Sequence, residues 1–466
     1  MRVEDTDQKR EVKGAIKQLI DILSWVGIEF DEGPDVGGEH GPYVQSQRLD
    51  IYEKYADELL KSGKAYRCFC AAERLAEMRR ERQMKKLPPR YDGTCRNLSE
   101  DKIKERLRGG EKFVVRQKMP LSGEIKVYDE LRGEIKFKAE DLDDHILIKS
   151  NGIPTYQFAN VVDDHLMEIT DVLRGDEWIA SFPKNILLYR AFGWEPPKFV
   201  HLPLVLDKNG GKLSKRQGDV AVEDFRKKGY LPEALINFCA LLGWHPKNDD
   251  EILSMERLIK EFNVKDMGVS PAIFDIDKLD YLNGYHIRQK PLDELTELCL
   301  PYLISAGFIE KTQSSKLKAQ NDNLEFKNKL TDKIIGIGFI KKIIGLEQER
   351  LKRLSEIGEL TEFFFCGKVE YPVELLSWKK LTIERAKENL KIIHHLLEKI
   401  PEENWTNDSI EEDIVSYLRA KELKIGEYLW PMRVALTGRK ASPSPFDVAE
   451  VLGKEESLKR IKAAME

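Results

Sequence analysis

No apolar run in the 466-residue chain approaches the ~20 residues that a helix needs to cross a bilayer, which argues against a membrane protein. Cysteine is scarce. Six in so long a chain do not make a disulfide framework, and a reducing cytoplasm is the natural setting. An excess of positive charge is missing too. Lys and Arg total 76 against 81 Asp and Glu, a net charge of −5, so a polyanionic partner has to be met by local basic patches. The first residues, "MRVEDTDQKR", are charged from the second onward and read as neither a signal nor a transit peptide. There is no low-complexity tract and no repeat of fixed period. What is present is 41% hydrophobic residues, enough for real cores, and 34% charged residues. At roughly 150 residues per domain the length suggests about three domains.

After Asp7, a good N-cap, Val12, Ile16, Leu19, Ile20 and Leu23 recur at helical spacing as far as Trp25 and Gly27. A glycine-rich connection, "DEGPDVGGEHGPY", leads to a second predicted helix, "RLDIYEKYADELLKSGKAY". Residues 66–150 change character: three cysteines, a basic run and short strand-like pieces such as "EKFVVRQK" and "GEIKVYDE". An α/β pattern resumes at 151, with "PTYQFANVVDD", a strand predicted at "LMEIT", a helix around 178–192 and the apolar strand "KFVHLPLVLD". Beyond about 290 the pattern is almost wholly helical. Its clearest stretch is Ile383, Ala386, Leu390, Ile393, Leu397 and Ile400 behind a Thr382 cap.

The loop "DKNGGKLSKRQGD", 207–219, leaves the end of that apolar strand and precedes a helix near 221, where open α/β sheets bind ligands. Gly210 and Gly211 let the backbone bend close, and Lys212, Lys215 and Arg216 could converge on one phosphate. It is not a P-loop, because Leu213 stands in the Ser/Thr position and Leu206 in that of the first glycine. Alone, such a loop is more often a solvated turn.

Other segments change that balance. "KLSKR" resembles the second signature of class I aminoacyl-tRNA synthetases, and "RVEDTDQKR" (2–10) resembles the R-[IL]-E-D-T-D-x-x-R of bacterial-type glutamyl-tRNA synthetases. "DEGPDVGGEHGPYVQSQRLDIY", "PTYQFANVVDDHLMEITDVLRGDEW", "LLYRAFGWEPPKF" and "WPMRVALTGRKASPSPFDVAEVLG" are similar to that family in the same order. The resemblance implies ATP- and Mg2+-dependent joining of L-glutamate to tRNA(Glu) through glutamyl-adenylate, by a cytoplasmic monomer. Fixed cations would stabilise the charge that develops on the phosphates. By resemblance Lys215 is the principal phosphate contact, with Lys212, Ser214 and Arg216 beside it. Arg174 takes the γ-carboxylate, Glu4 the ammonium, and Tyr156, Asn160 and Glu177 match further positions of the amino-acid pocket. Asp163 and Asp164 read as salt-bridge partners or caps rather than a metal pair.

The implied fold is a class I Rossmann-like α/β catalytic domain, lacking its first strand and helix, with an α+β insert and an all-α anticodon-binding region. Its expected parts are catalytic 1–62, acceptor-end insert 63–153, catalytic 154–230, stem contact 231–290, and helical subdomains 291–372 and 373–466. The family's R-x-A-P-S-P and His-x-Gly-His-like motifs have no match here. The expectation is that the natural protein is longer at its start; the alternative is an inactive tRNA-binding paralogue or fragment. A paralogue that glutamylates a tRNA base lacks the helical C-terminal region, and a glutamine-specific enzyme would set Arg174 against an amide.

Cys68, Cys70 and Cys95 leave two readings open: reduced buried thiols, the plainer one, or a zinc site in which Tyr91 replaces the usual histidine, since Asn97 stands where relatives carry it. Cys239, Cys299 and Cys366 read as core residues. The basic run "MRRERQMKKLPPR" (78–90) would meet the acceptor end. Gln348 stands where some relatives carry an arginine that rejects the glutamine anticodon, which would let tRNA(Gln) be charged too.

Overall fold

The computed structural model describes residues 1–6, 14–211, 213, 221–312 and 324–466. They form two compact units, Met1–Gln217 with Cys239–Asp275, and Gly218–Phe238 with Ile276–Glu466.

In the first unit, the helix Leu49–Lys61 buries Tyr52, Ala56 and Leu59, one stripe at spacings of four and three. The helix Tyr156–Leu166 buries Phe158 through Asp164 without a break, so it lies at the centre rather than on the surface. The strands Asp171–Gly175 and Lys198–Leu202 pair in parallel. Parallel pairing needs a crossover, supplied by the helix Phe182–Phe192, which has Pro183 in its first turn and the left-handed Gly193 at its end. The strand expected at "LMEIT" instead begins at Asp171. Leu166 still belongs to the preceding helix, and the turn that follows takes Glu168 to φ 54°. "KFVHLPLVLD" is two strands, Lys198–Leu202 and Val205–Leu206, parted at Pro203.

Ala65–Cys68, Val114–Gln117 and Ile146–Ile148 form an antiparallel sheet in that order. Glu124–Asp129 and Gly133–Lys138 form a hairpin. Residues of Glu124–Asp129 alternate outward and inward, and the inward set is Ile125, Val127 and, against the apolar pattern, Asp129. The first predicted helix is described as Ala15–Trp25; its Asp7 cap and Val12 lie outside the described residues. Ile16 and Leu19 on it stay exposed.

The second unit is helical around one apolar core. Its Ile383–Lys399 helix matches the expected stripe: Ala386, Leu390, Ile393 and Leu397 are buried, and the Thr382 hydroxyl caps it by accepting from Arg385 N. Residues 221–230 group with this unit, as do Leu231 and Ala234 in its core. Two departures from the expected pattern are physical. A three-stranded sheet, Ile309–Lys311, Glu325–Asn328 and Ile334–Gly336, interrupts the helices; strands this short carry little alternation. Cys299 is buried and Cys366 half-buried, but Cys239 is exposed, because its helix turns Ala234, Leu235 and Phe238 inward instead.

Glu347, at the end of the helix Ile337–Glu347, is fully buried. Arg350 Nη1 donates to one of its oxygens at 2.8 Å, and the other has no partner among the described residues. Burial pushes its carboxyl up from 4.5 to about 7, against the pull of Arg350 and Arg439. Between those values the folded chain holds a proton that the unfolded chain lacks, so this contribution to stability is lost as pH rises through 7. Glu347→Gln removes the titration. We expect its stability relative to the wild type to rise by on the order of 1 kcal/mol between pH 5 and pH 8 in denaturant unfolding of the full chain.

Candidate active site

Val3 bridges Val44 in parallel, with Val3 N donating to Tyr43 O and Gln45 N to Val3 O. In extended backbone, residues two apart share a face, so Arg2 and Glu4 project together. Arg2 Nη2 donates to Glu4 Oε1 at 2.9 Å and its Nη1 lies 2.8 Å from Asp164 Oδ1. Asn160 Nδ2 donates to the same Glu4 oxygen at 3.2 Å. Tyr156, Asn160 and Asp164, four apart on one helix, supply one face of the site. Burial raises the Asp164 carboxyl to about 6, with Arg2 pulling the other way.

Asp163, the next residue round the helix, is wholly buried and looks elsewhere. Its oxygens accept from Arg48 Nε at 2.8 Å, Tyr52 Oη at 2.7 Å and Gln45 Nε2 at 3.0 Å. As expected from the sequence, both aspartates serve in ion pairs.

Glu4, Tyr156, Asn160 and Arg174 line one cavity of about 780 Å³, together with Arg2 and Asp164. Arg174, next to last in the strand Asp171–Gly175, is half-buried; burial pulls its guanidinium below the usual range. Among the described residues its Nη2 has no partner, and neither do Asp164 Oδ2 and Tyr189 Oη, all three buried. Buried polar atoms of this kind are costly unless a ligand or water completes them. Glu177 is not in the cavity wall. It is exposed, with its carboxylate turned back against Gly175, where a Cβ would collide with it.

At the base of the glycine-rich loop, Asp207 Oδ1 accepts from Asn209 N at 2.7 Å and Gly211 N at 3.0 Å. Gly210 takes φ +81°, a conformation that favours glycine. Lys212, Ser214, Lys215 and Arg216 lie outside the described residues.

The three cysteines do come together. The sulfurs of Cys68, Cys70 and Cys95 lie within 4.8 Å of one another, and Tyr91 Oη is 3.3 Å from Cys68 Sγ and 3.4 Å from Cys70 Sγ. A tetrahedral ion with ~2.3 Å bonds to sulfur needs donors roughly 3.8 Å apart, so these four fit one. Arg74 Nη1 sits 3.2 Å from Cys70 Sγ, and Arg116 covers the Tyr91 ring at 4.2 Å, cations that suit ionised donors. The basic run begins on the helix Ala72–Met84, which buries none of its residues. Gln348 donates from Nε2 to the carbonyls of Ile287, Arg288 and Lys290, closing the end of the helix Ile276–Gln289; that cap explains this glutamine without appeal to an anticodon.

The family model for the catalytic domain of class I tRNA synthetases (E and Q) matches residues 1–281, and that for an anticodon binding domain matches 294–465. The glutamate–tRNA ligase of Clostridium botulinum is 42% identical over 469 residues, covering 100% of this chain and 90% of the relative. That of Treponema denticola is 41% identical over 467 residues, covering 100% and 92%. The crystal structure of a glutamate tRNA ligase from Elizabethkingia meningosepticum in complex with its amino acid superposes with a TM-score of 0.83 at 32% identity, covering 100% of this chain and 91% of that one.

The chain belongs to the glutamate–tRNA ligases. It is therefore an aminoacyl-tRNA synthetase of class I, with a helical anticodon domain and with glutamate and tRNA as partners. An inactive tRNA-binding paralogue finds no support in these relatives. Among the described residues no helix is long and apolar enough to cross a membrane. Arg2, which lines the cavity, and Asp129 and His201, which stand behind Arg174, are not among the candidates that the motifs offer. Arg2 was findable, since it lies two residues before Glu4 in the same motif. His201 Nδ1 meets Asp129 across 72 residues of chain, at 2.7 Å, and no local pattern announces such a pair.

The Asp163 cluster gives a direct test. Asp163→Ala strands Arg48 as a buried, unpaired charge, and we expect a loss of about 3–5 kcal/mol in denaturant unfolding. A loss near zero would show that Arg48 finds water instead.

Proposed function

We propose that the cavity between Arg174 and Glu4 binds L-glutamate, with Arg174 on the γ-carboxylate and Glu4 on the ammonium. The observation that carries this is the buried, unpartnered Nη2 of Arg174 in a cavity that also holds a carboxylate steadied by Arg2 and Asn160. A planar guanidinium suits a carboxylate, and the opposed charge at Glu4 orients an amino acid one way round. Tyr156 and Asn160 complete the wall. Glu177, exposed and turned away, is outside this reading.

The glycine-rich loop receives ATP with Mg2+, through Lys215, Lys212, Ser214 and Arg216, and the product is glutamyl-adenylate. These side chains would neutralise the charge that develops on the α-phosphate and the leaving pyrophosphate. The glutamyl group then passes to tRNA(Glu), its acceptor end met by the basic helix Ala72–Met84. Transfer to tRNA(Gln) draws no support from Gln348. Six free cysteines accord with a cytoplasmic setting, and a monomer is the simplest state.

Cys68, Cys70, Cys95 and Tyr91 would hold a structural zinc ion, which cross-links a segment with few apolar contacts of its own.

Two experiments test these readings. Arg174→Ala should raise the KM for glutamate about 100-fold in ATP–pyrophosphate exchange with tRNA present, with the KM for ATP little changed; an unchanged glutamate KM overturns the pocket assignment. Elemental analysis of chain purified without chelator should find about one zinc per molecule, lost in Cys95→Ser; absence of zinc leaves reduced thiols as the answer.

A further inference from the structure

Among the described residues, Arg174 has no carboxylate partner. Its Nε donates to His201 Nε2 at 3.0 Å, and its guanidinium lies 5.1 Å from the Phe199 ring and 5.8 Å from that of Phe182. The strand register sets Arg174 directly opposite His201. His201 is fully buried.

On the far side of the ring, His201 Nδ1 lies 2.7 Å from Asp129 Oδ2. Asp129 is itself held in place: His201 N donates to Oδ2 at 2.9 Å, and the amides of Leu131 and Arg132 donate to Oδ1 at 3.0 and 2.9 Å. Burial raises its carboxyl, but these N–H donors outweigh burial and hold it below its usual range. An ionised carboxylate can only accept, so the imidazole proton sits on Nδ1. A guanidinium can only donate, so Nε2 must be bare. Both neighbours demand the same neutral tautomer.

We propose that His201 is a positioning and specificity residue for the amino acid: clamped by Asp129 as the neutral Nδ1–H tautomer, it turns Arg174 toward the cavity without neutralising its charge. This rests on the reading of the cavity as the glutamate site. A carboxylate in place of the imidazole would orient the guanidinium equally well but would cancel the charge that separates a ligand acid from its amide. The ring keeps the negative Asp129 one residue away.

The variants His201→Asn and His201→Gln separate the two hydrogen bonds. Asparagine places its amide near Nδ1, satisfying Asp129 while removing the acceptor for Arg174. Glutamine reaches the position of Nε2 and restores that acceptor. Binding of L-glutamate and L-glutamine to the full chain is measured by calorimetry for the wild type, both variants and Arg174→Ala. We expect His201→Asn to weaken glutamate by about tenfold, to leave glutamine within about twofold, and His201→Gln to recover most of the loss. Ring-nitrogen NMR of the wild type at neutral pH should show the Nδ1–H tautomer.

If Arg174→Ala loses glutamate while His201→Asn binds it as the wild type does, or if both His201 variants fall alike, the inference is overturned and the pocket reading stands. An imidazolium or an Nε2–H tautomer overturns it as well. If the wild type takes no glutamate, or Arg174→Ala takes as much, the pocket reading fails and the inference fails with it.

Discussion

The first unit depends on a buried carboxylate. Asp163 would cost several kcal/mol to desolvate alone, and it is tolerable only because Arg48, Tyr52 and Gln45 supply donors at 2.7–3.0 Å. Those donors come from the helix Leu49–Lys61 and the turn before it, so the cluster ties them to the central helix Tyr156–Leu166. That helix carries Tyr156, Asn160 and Asp164. Once its rotation is fixed by Asp163, the cavity wall is fixed too, and Arg2 and Glu4 fall into place against it.

Charge is handled in two ways around this cavity. Arg2 is matched by acids, Glu4 and Asp164, and stays put. Arg174 is met by the His201 ring and by aromatic faces, with no carboxylate beside it among the described residues. The difference is visible only in partners. In the second unit backbone carbonyls take part as well, as at Arg433, which donates to Ser442 O and Pro443 O. Arg460, almost wholly buried, donates to the carbonyls of Phe363, Leu436 and Cys366 and pairs with Glu456, so a single guanidinium closes two helix ends around the core.

Much of this was legible in the residues. The stripe from Ala386 to Leu397 and its Thr382 cap follow from helical period and a hydroxyl at the right place. The motif segments pointed to Glu4, Tyr156, Asn160 and Arg174 before any coordinates, and the cavity contains all four. Glu177 matched a motif as well, yet its carboxylate turns back on Gly175. Spacing places a Cα; it does not choose a rotamer. Likewise "LMEIT" is apolar enough for a strand, but Leu166 completes the buried face of a helix, and packing against the core outweighs local preference.

By itself, the sequence determined whatever is short in range: periodic helices, the glycine-rich turn at Gly210 and the order of motifs that marks the family. Tertiary structure alone decided which acids meet which bases. Asp129 stands at an inward position that the strand's alternation reserves for an apolar side chain. It is accommodated because a strand from 72 residues away brings His201 within hydrogen-bonding distance, and the amides of Leu131 and Arg132 donate to it as well. Hydrogen bonds and buried charges act over about 3 Å of space, whatever the separation along the chain, so their partners are settled only when the fold closes.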